Sequence, residues 1–308
     1  MKTKTTIILG ITLLWTYSII YAQSTEHHKS FNLAVKDIGF SFGNSDRFTG
    51  VRFNFSDYNI KRIDGLNITL GTPGYNAEGK IRGISLGLIR PEANDIRGVT
   101  LGGLAIFGGS QLSGINISGL ATVCSGDMRW INYGTLILGA GDNLNGINIS
   151  GLVTMSLGTI HGFSVGGLAL VAQKEINGFN LAGIAIGTGG NIGGFTICGL
   201  AMHARNIHGV SYSALLTADE AVHGIALSLL RLNASQTFGI CGATFLSIDQ
   251  SNGVCFGGFN KFREAQNGVS IGIVNSAAAL HGLQIGVINY AANNPKWAKI
   301  LPFVNFHY

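Results

Sequence analysis

The sequence predicts an all-β fold, a parallel β-solenoid of about fifteen coils, and three observations support it. Glycine accounts for 46 of 308 residues, about twice the usual share near 7%. A unit of 16 residues stands three times in succession between Leu144 and Asn191, without a linker. Charged residues make up only 11% and hydrophobic residues 46%. A fixed short period of this kind is typical of a repeat architecture whose units stack on one another.

The first glycine of each unit marks the repeat along the chain. Most of these glycines are 14–16 residues apart. The glycines are Gly65, Gly83, Gly98, Gly114, Gly146, Gly162, Gly178, Gly194, Gly209, Gly224, Gly239, Gly253, Gly268 and Gly282. The step from Gly114 to Gly146 is twice as long, and its degenerate middle carries Gly134 slightly out of register.

Each unit combines the spacing of a strand with interruptions at glycine. In the copy IHGFSVGGLALVAQKE, the apolar residues are Ile160, Phe163, Val165, Leu168 and Leu170. A spacing of two fits a strand with one buried face, and the pattern shifts at Gly162 and at Gly166–Gly167. Because glycine turns corners at low steric cost, we expect the chain to fold back at these points. Coils stacked about 4.8 Å apart would form a rod roughly 70 Å long.

A row of small, mostly polar residues recurs two positions after the first glycine. We expect these side chains to point outward and to form a hydrogen-bonding ladder along the stack. The row consists of Ser85, Thr100, Asn116, Asn148, Ser164, Asn180, Thr196, Ser211, Cys241, Cys255, Ser270 and Gln284.

The two ends of the chain differ from the repeats. Residues 1–22 combine Lys2 and Lys4 with an apolar run and a small residue, Ala22, as in a secretory signal peptide cleaved after Ala22. Residues 23–60 are predicted to form N-terminal strands or a cap, residues 61–292 the glycine-rich repeats, and residues 293–308 a closing strand or cap.

An outer-membrane β-barrel of about 18 strands is the alternative fold. The ending KILPFVNFHY alternates toward a terminal aromatic residue, as a closing barrel strand does, and the repeats could be strands joined by tight turns. The even length of the steps and the broken alternation within each unit favour the solenoid, because barrels alternate short turns with long loops.

The C-terminal units resemble a family of bacterial surface repeats that is frequent in Bacteroidota and was first named from a Leptospira surface protein. Gly282, Gln284, Gly286 and Asn289 match its Gly-x-Gln-x-Gly-x-x-Asn-like unit. The unit at Gly268, Gly272 and Asn275 has Ser270 in place of Gln, and the central units depart further. The resemblance implies an exported envelope or surface protein and implies no reaction.

No motif in the sequence predicts catalysis. Carboxylates are few and the glycine runs lack a following Lys-Ser/Thr, so glycosidase and phosphate-loop chemistry are disfavoured. We therefore predict no enzyme, no catalytic residues and no cofactor. Basic residues form no stripe, which excludes nucleic acid as a partner.

Three pairs of residues stand out as candidate sites. Cys241 and Cys255 share one offset in neighbouring coils, which stacking would bring within disulfide range, as either a disulfide or two free thiols; Cys124 and Cys198 are predicted to be buried. His208 and His223 should lie close together, although two histidines do not complete a metal site. They fit a solvated corner better, so we predict no metal site.

The third pair belongs to the segment Asp127 to Asn143, which departs most from the repeat. We expect it to be an extruded loop. Arg129 and Trp130 could instead contact a ligand such as a sugar.

These observations favour a non-enzymatic protein exported to the cell envelope, with a structural or partner-binding role. Its partner would be an unknown protein or glycan at the cell surface, and association with the outer membrane is possible. The alternatives are an outer-membrane β-barrel, either a pore or a structural protein, and a glycan-binding module.

Overall fold

The computed structural model describes residues 30–74, 76 and 78–308, so the predicted leader lies outside the described residues. The strands are β1 (Ser30–Val35), β2 (Ile38–Gly43), β3 (Arg47–Asn54), β4 (Arg62–Thr69), β5 (Lys80–Gly87), β6 (Glu92–Gly102), β7 (Ala105–Ser118), β8 (Ala121–Cys124), β9 (Asp127–Gly134), β10 (Ile137–Ala140), β11 (Leu144–Ser150), β12 (Val153–Ser156), β13 (Thr159–Gly166), β14 (Ala169–Ala172), β15 (Glu175–Ala182), β16 (Ala185–Thr188), β17 (Asn191–Cys198), β18 (Ala201–Ala291) and β19 (Ile300–His307). A 3-10 turn spans Lys296–Ala298. β18 is one extended run that continues through several coils.

Each strand of the repeats pairs in parallel with the equivalent strand of the next coil. β13 pairs with β15 so that Gly162 lies opposite Gly178 and Phe163 opposite Phe179, and β14 pairs in the same way with β16. The chain is therefore a parallel β-solenoid, as predicted from the repeat. The antiparallel pairings of the β-barrel alternative are absent from the repeats that the structure describes.

Antiparallel pairs among the described strands occur at the two ends of the stack. β1 folds back on β2 through Lys36 and Asp37, and β2 then joins β3 in parallel. At the other end, β19 runs antiparallel to the last coil, with Gly282 opposite His307. Both ends thus cover a coil edge that would otherwise present unpaired backbone groups.

The first glycine of each unit forms a corner with a positive φ. All fourteen glycines that mark the predicted units have φ between 89° and 142°. A Cβ atom on any of them would lie 1.9–2.3 Å from the carbonyl oxygen of the corner residue in the preceding coil. Glycine is therefore required twice, for its backbone conformation and for the close approach of neighbouring coils.

The middle of the long step between Gly114 and Gly146 is a regular coil with a corner of its own. Trp130 occupies the corner, with φ 86°, and it lies opposite Gly114 on one side and Gly146 on the other. The sequence placed this unit's glycine at Gly134, which instead is the buried end of β9. With Trp130, fifteen corners follow one another from Gly65 to Gly282.

Three corners, separated by six, six and four residues, divide a typical coil into three sides. In the coil that begins at Thr159, the exposed corner residues are Gly162, Leu168 and Lys174. We call residues 159–161 side 1, residues 163–167 side 2 and residues 169–173 side 3, and we use the same names for the equivalent residues of other coils.

The direction of the side chains on side 2 is the reverse of the one predicted. The inward residues of this coil are Ile160, Ser164, Gly166, Leu170 and Ala172. Phe163 and Leu168 face outward and are 41% and 42% exposed. The alternation of a strand continues around the whole coil, with each corner at a position that would otherwise point inward. The apparent shifts in the sequence arose because the apolar residues of side 2 were assigned to the core.

The polar ladder lies inside the solenoid, so the expectation that it points outward is wrong. Every residue of the predicted row is at most 1% exposed. Asn116 donates to Asn132 at 2.9 Å, Asn132 donates to Asn148 at 3.0 Å, and a longer contact of 3.5 Å leads on to Ser164. The predicted hydrogen bonding between coils is confirmed here. The amides of Asn116, Asn132 and Asn148 thus bridge three coils. The buried hydroxyls of Ser85, Thr100 and Ser211 in the same row have no hydrogen-bond partner among the residues that the structure describes.

The apolar core comes from sides 1 and 3. Side 1 contributes one large inward residue per coil, including Ile96, Leu112, Met128, Leu144, Ile160, Ile176, Ile192 and Ile207. Side 3 contributes Ile106, Leu138, Leu170, Ile186 and Met202. The interior is thus apolar along side 1, mixed along side 3, where Thr122 and Thr154 are also buried, and mostly polar in the first inward row of side 2.

Candidate functional site

Trp130 is the most unusual residue on the surface of the solenoid. It holds a corner that is glycine in the fourteen other units, and its side chain is 70% exposed. A bulky residue with a positive φ is a strained outlier. The extruded loop expected for Asp127 to Asn143 is not formed, since Asp127–Gly134 pairs in register with both neighbouring coils.

Polar groups surround the indole on side 1. Arg129 Nη2 donates to Asp127 Oδ2 at 2.9 Å, and Asn143 Nδ2 donates to Asp127 Oδ1 at 2.9 Å. Partial burial opposes ionisation of Asp127, but the hydrogen bonds from Arg129 and Asn143 outweigh it and lower the pKa of this carboxyl. Arg129, Trp130, Asn145 and Gly146 line a shallow open groove of about 420 Å³. The structure therefore places the predicted pair Arg129 and Trp130 together, with Asn145 beside them.

Cys241 and Cys255 occupy consecutive positions of the inward row and are free thiols in the structure. Burial raises the pKa of Cys241 to about 12 and also raises the pKa of Cys255. The Sγ atom of Cys255 lies 3.0 Å from the Oγ atom of Ser251. A disulfide between the two cysteines stays a prediction. Cys124 and Cys198 are buried, as expected.

His208 and His223 stack on side 1, directly before the corner glycines Gly209 and Gly224. Their ring centroids are 5.0 Å apart with an interplanar angle of 11°, and Phe238 continues the stack at 4.8 Å. Stacked rings do not direct two nitrogens toward one point, as a shared metal ion would require. Across the described part of the chain, no three His, Cys, Asp or Glu side chains group as metal ligands.

A buried ion pair near the N-terminal end was not predicted from the sequence. Arg52 is fully buried and pairs with Asp57. It also donates to Ser45 at 3.2 Å, to Asn67 at 2.7 Å and to Asn44 at 2.9 Å. Arg52 follows the corner Gly50 by two residues, which is the inward position of side 2. Its burial could therefore have been predicted if the direction of side 2 had been known.

Side 1 of the first coils forms an open groove of about 970 Å³ with mixed charge. Its lining includes Arg47, Lys61, Arg62, Asp64, Glu78, Lys80 and Arg82. Arg62 pairs with Asp64 at 2.6 Å, and Lys61 pairs with Asp46 at 2.9 Å. These pairs neutralise part of the basic charge, and the lining carries six basic against three acidic side chains.

The largest coherent feature of the surface is apolar, and we call it the apolar surface. It comprises the outward residues of side 2 and the corner between sides 2 and 3. The side 2 residues include Ile115, Ile117, Ile131, Tyr133, Ile147, Phe163, Phe179, Leu181, Phe195, Val210, Tyr212, Ile225, Ile240, Val254, Phe256, Ile271 and Ile285. The corner carries Leu88, Leu104, Leu120, Leu136, Leu152, Leu168, Ile184, Leu200 and Leu215, which are 38–66% exposed.

The pairing of the coils makes these residues continuous rows. Phe163, Phe179 and Phe195 stack at 5.2 and 5.1 Å. At the corner, the backbone N–H of Leu136 donates to Leu120, that of Leu152 to Leu136 and that of Leu168 to Leu152, at 2.8–3.0 Å. Monomeric soluble proteins rarely expose an apolar area of this extent.

No family model, curated protein or solved structure matches this chain. Within the described residues, no helix has the length and apolar character needed to cross a membrane.

Proposed function

We propose that this protein is a non-enzymatic, exported rod of the cell envelope with a structural or partner-binding role. The observation that carries the proposal is the apolar surface, which runs along the stack on one side of the coils. The predicted leader at residues 1–22 and the resemblance to bacterial surface repeats support export.

The inward direction of the polar ladder changes where a partner binds. The ladder is buried, so it stabilises the stack and is not a recognition surface. The outward residues of side 2 and the leucine corner take that role.

Fractionation of cells that express the full chain tests the proposal. We expect the protein in the envelope fraction, with a mass that corresponds to cleavage after Ala22. A control that replaces the apolar run of the leader with polar residues should keep the protein in the cytoplasm at full length. Cytoplasmic, uncleaved wild-type protein would refute export.

Glycan binding at Trp130 is a second candidate function. An exposed indole stacks on the apolar face of a sugar ring, while Arg129 and Asn145 offer hydrogen-bond donors beside it. Binding should produce heat in calorimetric titrations with envelope polysaccharides, and in the wild type it should also change the fluorescence of Trp130. The Trp130→Gly variant should lose this binding, since glycine suits the corner and the fold is retained; equal binding by both proteins would rule the site out.

A further inference from the structure

From the distribution of charge and shape around the coil, we infer that the apolar surface docks on a lipid surface of the envelope, with the leucine corner directed into the bilayer. The inference rests on the proposed function, because it names the partner of the same surface. It requires a surface without charge, a shape that a bilayer can cover, and polar groups at the boundary.

Charge is absent from the surface that would meet lipid. Side 2 and the leucine corner carry no Asp, Glu, Lys, Arg or His from Ile84 to Gly286. The outward residues of side 3 are also uncharged from Ala105 to Ala201, and His203 is the first exception. A charged side chain moved into hydrocarbon is costly, so the lack of charge over this length suits an apolar phase.

The charged groups of the same coils lie elsewhere. Arg97 pairs with Asp95 at 2.8 Å and Arg129 with Asp127 at 2.9 Å, both on side 1. Lys174 stands at the corner between sides 3 and 1. When side 2 and the leucine corner face the bilayer, these groups stay in water or at the level of the headgroups.

The shape of the apolar surface favours a bilayer over a second copy of the chain. Side 2 alone offers roughly 60 Å by 13 Å, about 800 Å², which is near the area that each partner of a standard protein interface buries. A dimer through this flat side would leave the leucine corner and side 3 exposed, because they turn away from it. A bilayer is deformable, and it can cover both sides of a convex edge that sinks about 5–10 Å into the interface.

Trp130 lies where the headgroups would be. It occupies the corner between polar side 1 and apolar side 2, and its indole is exposed. Tryptophan and tyrosine are enriched at the boundary between hydrocarbon and water, and Tyr133 lies three residues further on, on side 2.

Flotation of the mature protein, residues 23–308, with phosphatidylcholine vesicles tests the inference. Wild type should float with the vesicles. The triple variant Leu136→Glu, Leu152→Glu and Leu168→Glu should bind at least about tenfold more weakly, since each leucine lies exposed in the corner row and its loss removes buried apolar area. The matched control Ser113→Glu, His161→Glu and His208→Glu adds the same number of carboxylates on side 1 and should float like wild type.

A second measurement reports on depth. In the Trp297→Phe background, Trp130 is the tryptophan that remains in the mature chain, and brominated lipids should quench its emission in the presence of vesicles. Circular dichroism and small-angle scattering of each variant establish that the rod is still folded.

Several results would overturn the inference. Wild type that stays with the soluble fraction, or a leucine variant that floats as well as the control, excludes lipid docking by this surface. A concentration-dependent dimer that the leucine variant abolishes would assign the surface to a second copy. In each of these cases, a cleaved protein in the envelope fraction would still support the proposed function. An uncleaved cytoplasmic protein would refute that function, whatever the result of flotation.

Discussion

The corner between sides 1 and 2 places the strictest demand on a single residue. Its backbone has a positive φ, and its α-carbon lies against the carbonyl oxygen of the corner before it, as at Gly146, where an added Cβ would lie 2.1 Å from the oxygen of Trp130. The side 3 residue Gly187 provides a contrast, because a Cβ there would meet no atom within 4 Å.

We therefore expect Gly146→Ala to lower the free energy of unfolding by at least about 1–3 kcal/mol, from backbone strain alone. Gly187→Ala should be neutral or slightly stabilising, because it only reduces the freedom of the unfolded chain. Denaturant unfolding of the two variants measures the difference. Equal stability would show that the corners tolerate a side chain.

The buried pair Arg52 and Asp57 predicts a large effect of a small change. Asp57→Asn leaves the guanidinium of Arg52 without its counter-charge inside the protein, which should cost about 3–5 kcal/mol. Lys61→Met breaks the exposed pair between Lys61 and Asp46 and should cost less than about 1 kcal/mol. Similar unfolding midpoints for both variants would contradict a structural role of the buried pair.

At the scale of the element, the inward row of side 2 makes the coils depend on one another. Asn132 accepts from Asn116 and donates to Asn148, across two coil boundaries. An orphaned buried polar group costs more free energy than a paired one contributes, so the pairing of Asn132 with both neighbours stabilises this part of the stack.

Asn132→Ala should destabilise the protein by about 1–3 kcal/mol for each of the two partners that it leaves unsatisfied. Ile131→Ala, an outward change on the same strand, should cost less, because Ile131 is partly exposed. Chemical denaturation compares the two, and a larger effect at Ile131 would show that the outward row packs more tightly than the ladder.

The thiol of Cys241 in the same row should make stability depend on alkaline pH. Its pKa is about 12 in the folded state against 9.0 as the ordinary value, so the folded state keeps a proton that the unfolded state loses. Its contribution is fully present below pH 9 and is lost as the pH rises toward 12. We expect a smaller loss of stability between pH 8 and pH 10.5 in Cys241→Ala than in wild type. Parallel pH curves would indicate a thiol that titrates normally.

At the scale of the molecule, the stack is nearly one-dimensional, because each coil pairs only with the coils beside it. Leu144 lies opposite Ile160, one full coil apart. Repeat proteins of this kind tolerate changes in the number of whole units.

Deletion of residues 144–159 should therefore give a folded rod that is shorter by about 4.8 Å. Deletion of residues 144–151 removes half a coil. The residues that follow would then no longer lie opposite the equivalent residues of the preceding coil, so this deletion should abolish cooperative unfolding. Small-angle scattering and thermal melts compare the two proteins. Folding of both, or of neither, would contradict the modular stack.

The repeat could be predicted from the sequence because the corner between sides 1 and 2 requires glycine in almost every coil. Its spacing gave the solenoid, and all fourteen glycines identified from the sequence are corners. The corner at Trp130 was not predicted because the residue there is not glycine, and the nearby Gly134 was taken for the corner instead. Arg52 was missed because an inward arginine is visible only when the direction of its strand is known.

The sequence by itself determined the period, the corners and the stacking of equivalent residues, since a backbone with a positive φ and a close neighbour admits almost no residue but glycine. Only the tertiary structure decided which face of side 2 is inside. A strand alternates equally well in either direction, and the choice depends on whether the polar side chains find partners in neighbouring coils. They do so through the chain Asn116, Asn132 and Asn148, and this leaves the isoleucines and leucines of the same coils on the outer surface.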